Sequence, residues 1–423
     1  MSGGLWREWM KSRTTLWIGF GVVHLVVAVL GWALPNQPMG DVYIVYEPWA
    51  DAAIDGRDIV GITSPFVYPQ LALIPMILAR ALSWLGGYII AWSIVVTALN
   101  AIAFAVLIGR GRSRARVSAA WFWLAYALVL GPIGMYRIDA ITVPLAVLGL
   151  IWLAGRPAVG AALLAIATWM KVWPAALIAA AFLALRRRVA VLVSAVGVSL
   201  IVVGGIVALG GWSNAFSFVG EQTGRGLQLE APVSMFYLWQ AVAGVPGSFA
   251  FYSSEMLTFQ VAGPQVDTVI ALMTPLLVVA VAAVVCLGAA KAWRGASYVR
   301  LLPPLALSLV LVLIVFNKVG SPQFQSWLIA PIVLWIALDR TRVAPIAALA
   351  LVSAGLTQIV YPIVYGGVLA VQPVPVALLT ARNIVTVVLL GMAVTALVRV
   401  PTGRGRRSPA RTRDRVRLTS TTT

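Results

Sequence analysis

Residues 16–34 read LWIGFGVVHLVVAVLGWAL, an unbroken apolar run in which His24 is the sole ionisable group. A bilayer core is about 30 Å thick and a helix rises about 1.5 Å per residue, so a span needs roughly 17 to 25 such residues. Hydrocarbon offers no partners to backbone N–H and C=O groups, so a run without polar alternation reads as a helix rather than a barrel strand. Runs of this kind recur along the chain. Of the 423 residues 61% are hydrophobic and 10% charged, a balance that a single water-soluble core does not require. The fold class expected is all-α, a polytopic membrane protein.

Working outward, further spans are expected at 84–109, 118–134, 139–154, 189–210, 266–290, 301–317, 323–338, 343–366 and 376–399. Near 157–185 a Pro-interrupted stretch is expected to form two short helices, tilted or partly buried. The total is about 12 helices, within a range of about 11 to 13. Basic residues collect on one set of alternate connections: Arg7, Lys11 and Arg13, then Arg110 to Arg116, Arg156, Arg186 to Arg188, Lys291 to Arg300, Arg340, Arg342, and Arg399 onward. The acids Asp41, Glu47, Asp51, Asp55, Asp58, Asp139, Glu221, Glu230, Glu255 and Asp267 fall on the other set. The positive-inside bias makes the basic face cytoplasmic and both termini with it. Residues 1–15 are then a cytoplasmic start, 16–399 the membrane-embedded domain and 400–423 a basic, disordered tail. The start looks superficially like a signal peptide, but its run is long and no small-residue cleavage motif follows, so it is read as a retained helix. Because the net charge of +18 is concentrated on this face, it suits anionic headgroups rather than a nucleic-acid partner.

The first and fourth external loops, 35–83 and 211–265, are long. In the first, segment 46–58 sets Trp49, Ala53 and Ile54 against Asp51, Asp55 and Asp58, the pattern of a helix lying on the membrane surface. The fourth carries Trp212, Phe216, Phe218, Phe236, Tyr237, Trp239, Phe251 and Tyr252 among Gly, Ser and Gln, which suits an interfacial lid or acceptor platform.

Walker loops, His-Glu-x-x-His helices and paired cysteines are all missing, so ATP-driven transport and metalloprotease chemistry lose support and no metal site is expected. The lone Cys286 allows no disulfide framework. What remains is a set of ionisable residues at external helix ends. Asp41 is either a general base or a solvated loop acid. Arg137 and Asp139 lie between apolar helices, where each charge costs about 2 to 3.5 kcal/mol, so they are expected to pair or to line a cavity. Lys171 and Lys318 either snorkel or bind. Together, Arg137, Lys171 and Lys318 could clamp a phosphate or pyrophosphate. His24 is either the partner of a neighbouring polar group or a catalytic residue.

The motifs Gly40-Asp-Val-Tyr43, Phe66-Val-Tyr-Pro69, Tyr136-Arg-Ile-Asp139, Met170-Lys-Val-Trp-Pro174 and Asn317-Lys-Val-Gly-Ser-Pro-Gln-Phe324 occur in that order across nearly all of 16–399. In this the chain resembles glycosyltransferase family 87. These are membrane-embedded GT-C enzymes that take a sugar from a polyprenyl phosphate, and they include bacterial mannosyltransferases and arabinofuranosyltransferases building envelope glycolipids. The resemblance implies a GT-C-like fold in the bacterial cell membrane with an external active site. It implies Asp41 as general base; on the reading of the residues themselves, donor phosphate is expected on Arg137, Lys171 and Lys318, with Asp139, Tyr68, Gln323 and His24 in support. It also implies inversion at the anomeric carbon with no cofactor. Partners would be a polyprenyl-phosphate sugar, a glycolipid or polysaccharide acceptor and membrane lipids. Where the family has Tyr-Pro-Pro, this chain has Tyr68-Pro-Gln70. The rival expectation is a secondary transporter or lipid flippase, in which the same charges couple ions to substrate movement.

Overall fold

The computed structural model describes residues 12–254, 256 and 258–403. Arg7, Lys11, Glu255 and the tail beyond residue 403 lie outside the described residues.

Eight helices are long and apolar enough to cross a membrane: Arg13–Ala33, Tyr88–Ile108, Arg114–Gly134, Arg188–Ala208, Val266–Trp293, Tyr298–Val315, Arg342–Ile363 and Pro373–Val398. Shorter apolar helices are Gln70–Ala81, Asp139–Trp152, Pro157–Thr168 and Ala175–Ala184. The stretch near 157–185 is therefore two helices, broken around Trp169 to Pro174. The expected span 323–338 starts as a 3-10 helix, Pro322–Leu328, and continues as a helix to Gln358 that breaks at Asp339 (φ −154°, ψ 82°). Two elements add to the expected layout. The apolar stretch after Pro69 is helical, and the fourth loop holds an antiparallel hairpin, Phe249–Ser253 with Thr258–Ala262.

Burial sorts the helices. Asp139–Trp152 is buried at every position from Asp139 to Leu150, whereas the hydropathic windows of Arg188–Ala208 and Val266–Trp293 are each only 11% buried. Apolar side chains that face no protein on any side belong against lipid. Arg114–Leu130 packs on the long helix Ile329–Gln358, Asp139–Trp152 on Pro157–Thr168, and Tyr298–Val315 on Pro373–Val398. The crossing of Asp139–Trp152 with Pro157–Thr168 is made by two glycines: a Cβ on Gly149 would lie 2.9 Å from the Gly160 carbonyl oxygen, and one on Gly160 2.6 Å from that of Gly149. Small residues that let backbones touch are how helices associate where lipid competes for every apolar surface.

Gly86 and Gly87, both at positive φ, end the first-loop helices before Tyr88. Within the segment 46–58 a helix forms over Glu47–Ile54. Trp49 packs edge-on against Phe66 and Tyr68, and Asp51 pairs with Arg80. Asp58 lies beyond the helix and accepts from Thr63 and Ser64.

Candidate active site

One cavity of about 340 Å³ is walled by segments far apart in the chain, all at one end of the helices. Its residues come from the two long loops, from the turns between helices, and from the end of Arg342–Ile363 and the segment after it. Asp41, Tyr68, Arg137, Lys171 and Gln323 all line it, so five of the eight residues singled out from sequence meet in one place.

Asp41 opens a π-helix, Asp41–Tyr46, entered through Asn36 and Gln37 at positive φ. Its Oδ2 lies 3.1 Å from Arg137 Nε, and 36% of its side chain is accessible against 8% of Arg137. The remaining Arg137 donors are nearly used up: Nη1 donates to the carbonyls of Pro38 (2.9 Å) and Tyr136 (2.8 Å), and Nη2 to the Tyr361 hydroxyl (3.3 Å). A guanidinium has five N–H groups in a fixed fork, so with three hydrogen-bonded and Nε beside the Asp41 carboxylate, Arg137 is a bracket. It holds the carboxylate and ties it to the first loop and to Tyr361. Tyr46 adds to the bracket, its hydroxyl accepting from the Ile138 N–H at 3.1 Å.

Lys171 is built differently. Its Nζ donates to Asp139 Oδ2 at 2.7 Å, and Asp139, 1% exposed, also accepts from Trp327 Nε1. Trp327 is stacked on Trp173 at 5.5 Å, and Trp173 Nε1 donates to Thr142 at 3.0 Å. The ammonium lies 5.5 Å from the Tyr68 ring centroid and 5.4 Å from that of Phe324, within cation–π range. An ammonium has three donors, and Asp139 takes one. Of the two expectations for Arg137 and Asp139, pairing with each other or lining a cavity, Arg137 meets the second; each pairs elsewhere, Arg137 with Asp41 and Asp139 with Lys171, because Asp139 starts a helix.

Two sequence-derived roles are not supported. Lys318 is buried and does not line the cavity; its carbonyl accepts from the Gln228 N–H at 3.0 Å, and burial lowers its ammonium pKa. Two residues on, the backbone is tightly packed: a Cβ on Gly320 would sit 2.1 Å from the Ala231 nitrogen and 2.4 Å from the Glu230 carbonyl carbon. His24 is remote: it stacks on Phe20 with centroids 3.9 Å apart, its Nδ1 is 2.9 Å from the Phe20 carbonyl oxygen, and it lines a separate void of about 30 Å³. Gln70 donates to the carbonyls of Asn214 (3.0 Å) and Ala215 (3.1 Å), tying the first loop to the fourth.

The cavity adds residues that sequence reasoning passed over. Arg225 lines it, its Nε bonded to the Glu221 carbonyl at 3.3 Å, and burial lowers its pKa despite the opposing pull of Tyr68 and Glu221. Glu230 also lines it, with Oε2 3.2 Å from Arg382 Nη2 and both side chains 3% exposed. The angles are poor. Among the described residues neither Glu230 Oε2 nor Arg382 Nε makes a hydrogen bond, and burial pushes the Glu230 carboxyl up to about 7 against the attraction of Arg382. Among the described residues no group of three or more His, Cys, Asp and Glu could hold a metal ion.

The tight floor gives a first prediction. Gly320→Ala forces a methyl into backbone that cannot yield as a side chain would, so it should cost about 1 to 3 kcal/mol. A lowered thermal midpoint in detergent, with Gly366→Ala, whose Cβ would meet nothing nearer than 4.0 Å, as control, checks this; an unchanged midpoint refutes the close approach.

No protein-family model matches the chain, and no curated protein shows significant similarity to it.

Proposed function

We propose that the chain is a membrane glycosyltransferase that moves a hexose, mannose in the first instance, from a polyprenyl-phosphate sugar to an envelope glycolipid or glycan. Arabinofuranose is the alternative sugar. The supporting observation is the single cavity in which an arginine-held carboxylate faces two cations with donors to spare and a set of aromatic rings. The sorting of charge between the ends of the helices supports an external cavity and cytoplasmic termini, and the resemblance points to a bacterial cell membrane.

In this reading an acceptor hydroxyl oxygen bonds to the anomeric carbon on the face opposite the phosphate, the carbon–oxygen bond to phosphate breaks, and Asp41 takes the hydroxyl proton. The configuration inverts. Negative charge grows on the departing polyprenyl phosphate, and Lys171 and Arg225 are the groups positioned to meet it, while Arg137 keeps Asp41 in place. Arg225 therefore takes the part first assigned to Lys318. Phosphate leaves already ionised, so cations rather than a strong general acid serve its departure. Tyr68, Phe324 and Trp49 supply ring faces suited to the apolar face of a sugar.

The test is transfer of radiolabel from polyprenyl-phosphate mannose, with arabinofuranose and glucose donors in parallel, to an envelope lipid extract by the purified protein. Thin-layer separation should show labelled product, and Lys171→Met should lower kcat/KM by about 100-fold, the scale of losing one transition-state donor. If no donor gives product while proteoliposomes carry the intact lipid-linked sugar across the bilayer, the chain is a flippase and the proposal fails.

A further inference from the structure

At the end of the helices away from the cavity lies a groove of about 860 Å³ between Tyr298–Val315, Ile329–Gln358 and Pro373–Val398. Its position follows from the helices themselves. Arg300 is near the start of a helix whose other end leads to the cavity segment 319–324, and Arg399 follows a helix whose Arg382 reaches Glu230. Arg300, Arg342 and Arg399 line the groove together with one acid, Asp339, whose Oδ2 is 3.3 Å from Arg342 Nε. Among the described residues, Arg300 and Arg399 make no ion pair. The floor is apolar, with Trp335, Ile346 and Met392, and a Cβ on the lining Gly391 would meet nothing within 4 Å. The break at Asp339 separates the two arms of the long helix, and Lys291 fixes the third wall by donating to the carbonyls of Val398 and Val400.

We propose that this groove binds an anionic phospholipid, its phosphate on Arg300 and Arg399 and its upper acyl chains along the apolar floor. The volume lies in the range of small-ligand sites, roughly 300 to 1,000 Å³. Its surplus positive charge selects an anion, and an apolar trench beside that charge selects one with a hydrocarbon chain. A zwitterionic lipid brings its own cation and gains less. The chain's own tail is a poor occupant, because Arg404, Arg406 and Arg407 follow directly and repel arginines. The site is independent of the glycosyl transfer proposed above.

The experiment is native mass spectrometry of the purified full-length protein after exchange into phosphatidylcholine micelles, with phosphatidylglycerol, diphosphatidylglycerol or glycerol phosphate added. The anionic lipids should be retained over phosphatidylcholine. Arg300→Gln and Arg399→Gln should each cut retention about fivefold, the scale of one basic residue near a lipid headgroup. Gly391→Phe, which fills the trench without touching charge, should also release the lipid. Thermal midpoints report that each variant is folded. Equal retention of phosphatidylcholine, wild-type retention by the Arg300→Gln/Arg399→Gln double variant, or glycerol phosphate binding as tightly as the lipids would each overturn the proposal.

Discussion

Membranes containing Asp41→Asn should bind a radiolabelled polyprenyl-phosphate sugar with wild-type affinity yet transfer it at a rate lower by about 10² to 10⁴, the span attributed to one positioned general base. The prediction rests on what the substitution leaves in place. Asparagine matches aspartate in shape, and Arg137 remains anchored to Pro38, Tyr136 and Tyr361 when its ion pair with residue 41 is removed. The negative charge and the capacity to take a proton are lost while the cavity's shape is kept, so kcat should fall and KM should not. Transfer at the wild-type rate would remove Asp41 from the chemistry and shift attention to Glu230, another acid on the same wall. Loss of binding and transfer together would mean that the carboxylate serves the cavity's shape.

The helical layout was legible in the sequence because hydrocarbon enforces it: each apolar run predicted as a span is helical, and the differences lie at ends set by local turns, as at Gly86 and Gly87, and at Asp339, where two expected spans join in one broken helix. Much of the cavity was legible too, through residues that break the charge sorting. Apart from Arg57 and Arg80, which pair with Asp55 and Asp51, the basic residues off the basic face are Arg137, Lys171, Arg225, Lys318 and Arg382. All five lie in the cavity wall or directly behind it. Arg225 and Arg382 carried this same signal but sat in no recognised motif, and Arg382 interrupts an otherwise apolar helix, where a charge is costly enough to need a purpose.

What sequence could not supply was partner choice. Arg137 and Asp139 are two residues apart, and the direction each faces depends on where the helix begins; Asp139 is its first residue. Lys318 follows the same logic, since its backbone is held by the N–H of Gln228, a residue far earlier in the chain. The hairpin Phe249–Ser253 with Thr258–Ala262 was hidden because its aromatics also suit a membrane interface, and alternation over five residues is too short to decide between the two.

The buried Glu230–Arg382 pair should give the protein a pH-dependent stability of unusual sign. The folded-state pKa of Glu230, about 7, lies above the ordinary carboxylate value, so its contribution is fully present below about 4.5 and is lost as pH rises through 7. The thermal midpoint in detergent should therefore rise when pH falls from 8 to 5.5. Each pKa unit is worth about 1.4 kcal/mol, so the full swing is on the order of 3 kcal/mol. Glu230→Gln mimics the protonated acid at every pH and should flatten the profile. Arg382→Met removes the opposing cation, leaves a buried carboxylate unpaired and should cost about 3 to 5 kcal/mol at pH 8, with much of it recovered at pH 5.5 as the acid protonates. A wild-type midpoint that falls on acidification, or a Glu230→Gln profile as steep as wild type, would show that attraction to Arg382 outweighs burial. Since Glu230 and Asp41 share one cavity, the same titration should appear as a transfer limb near pH 7 that Glu230→Gln removes and Asp41→Asn, in its residual activity, retains.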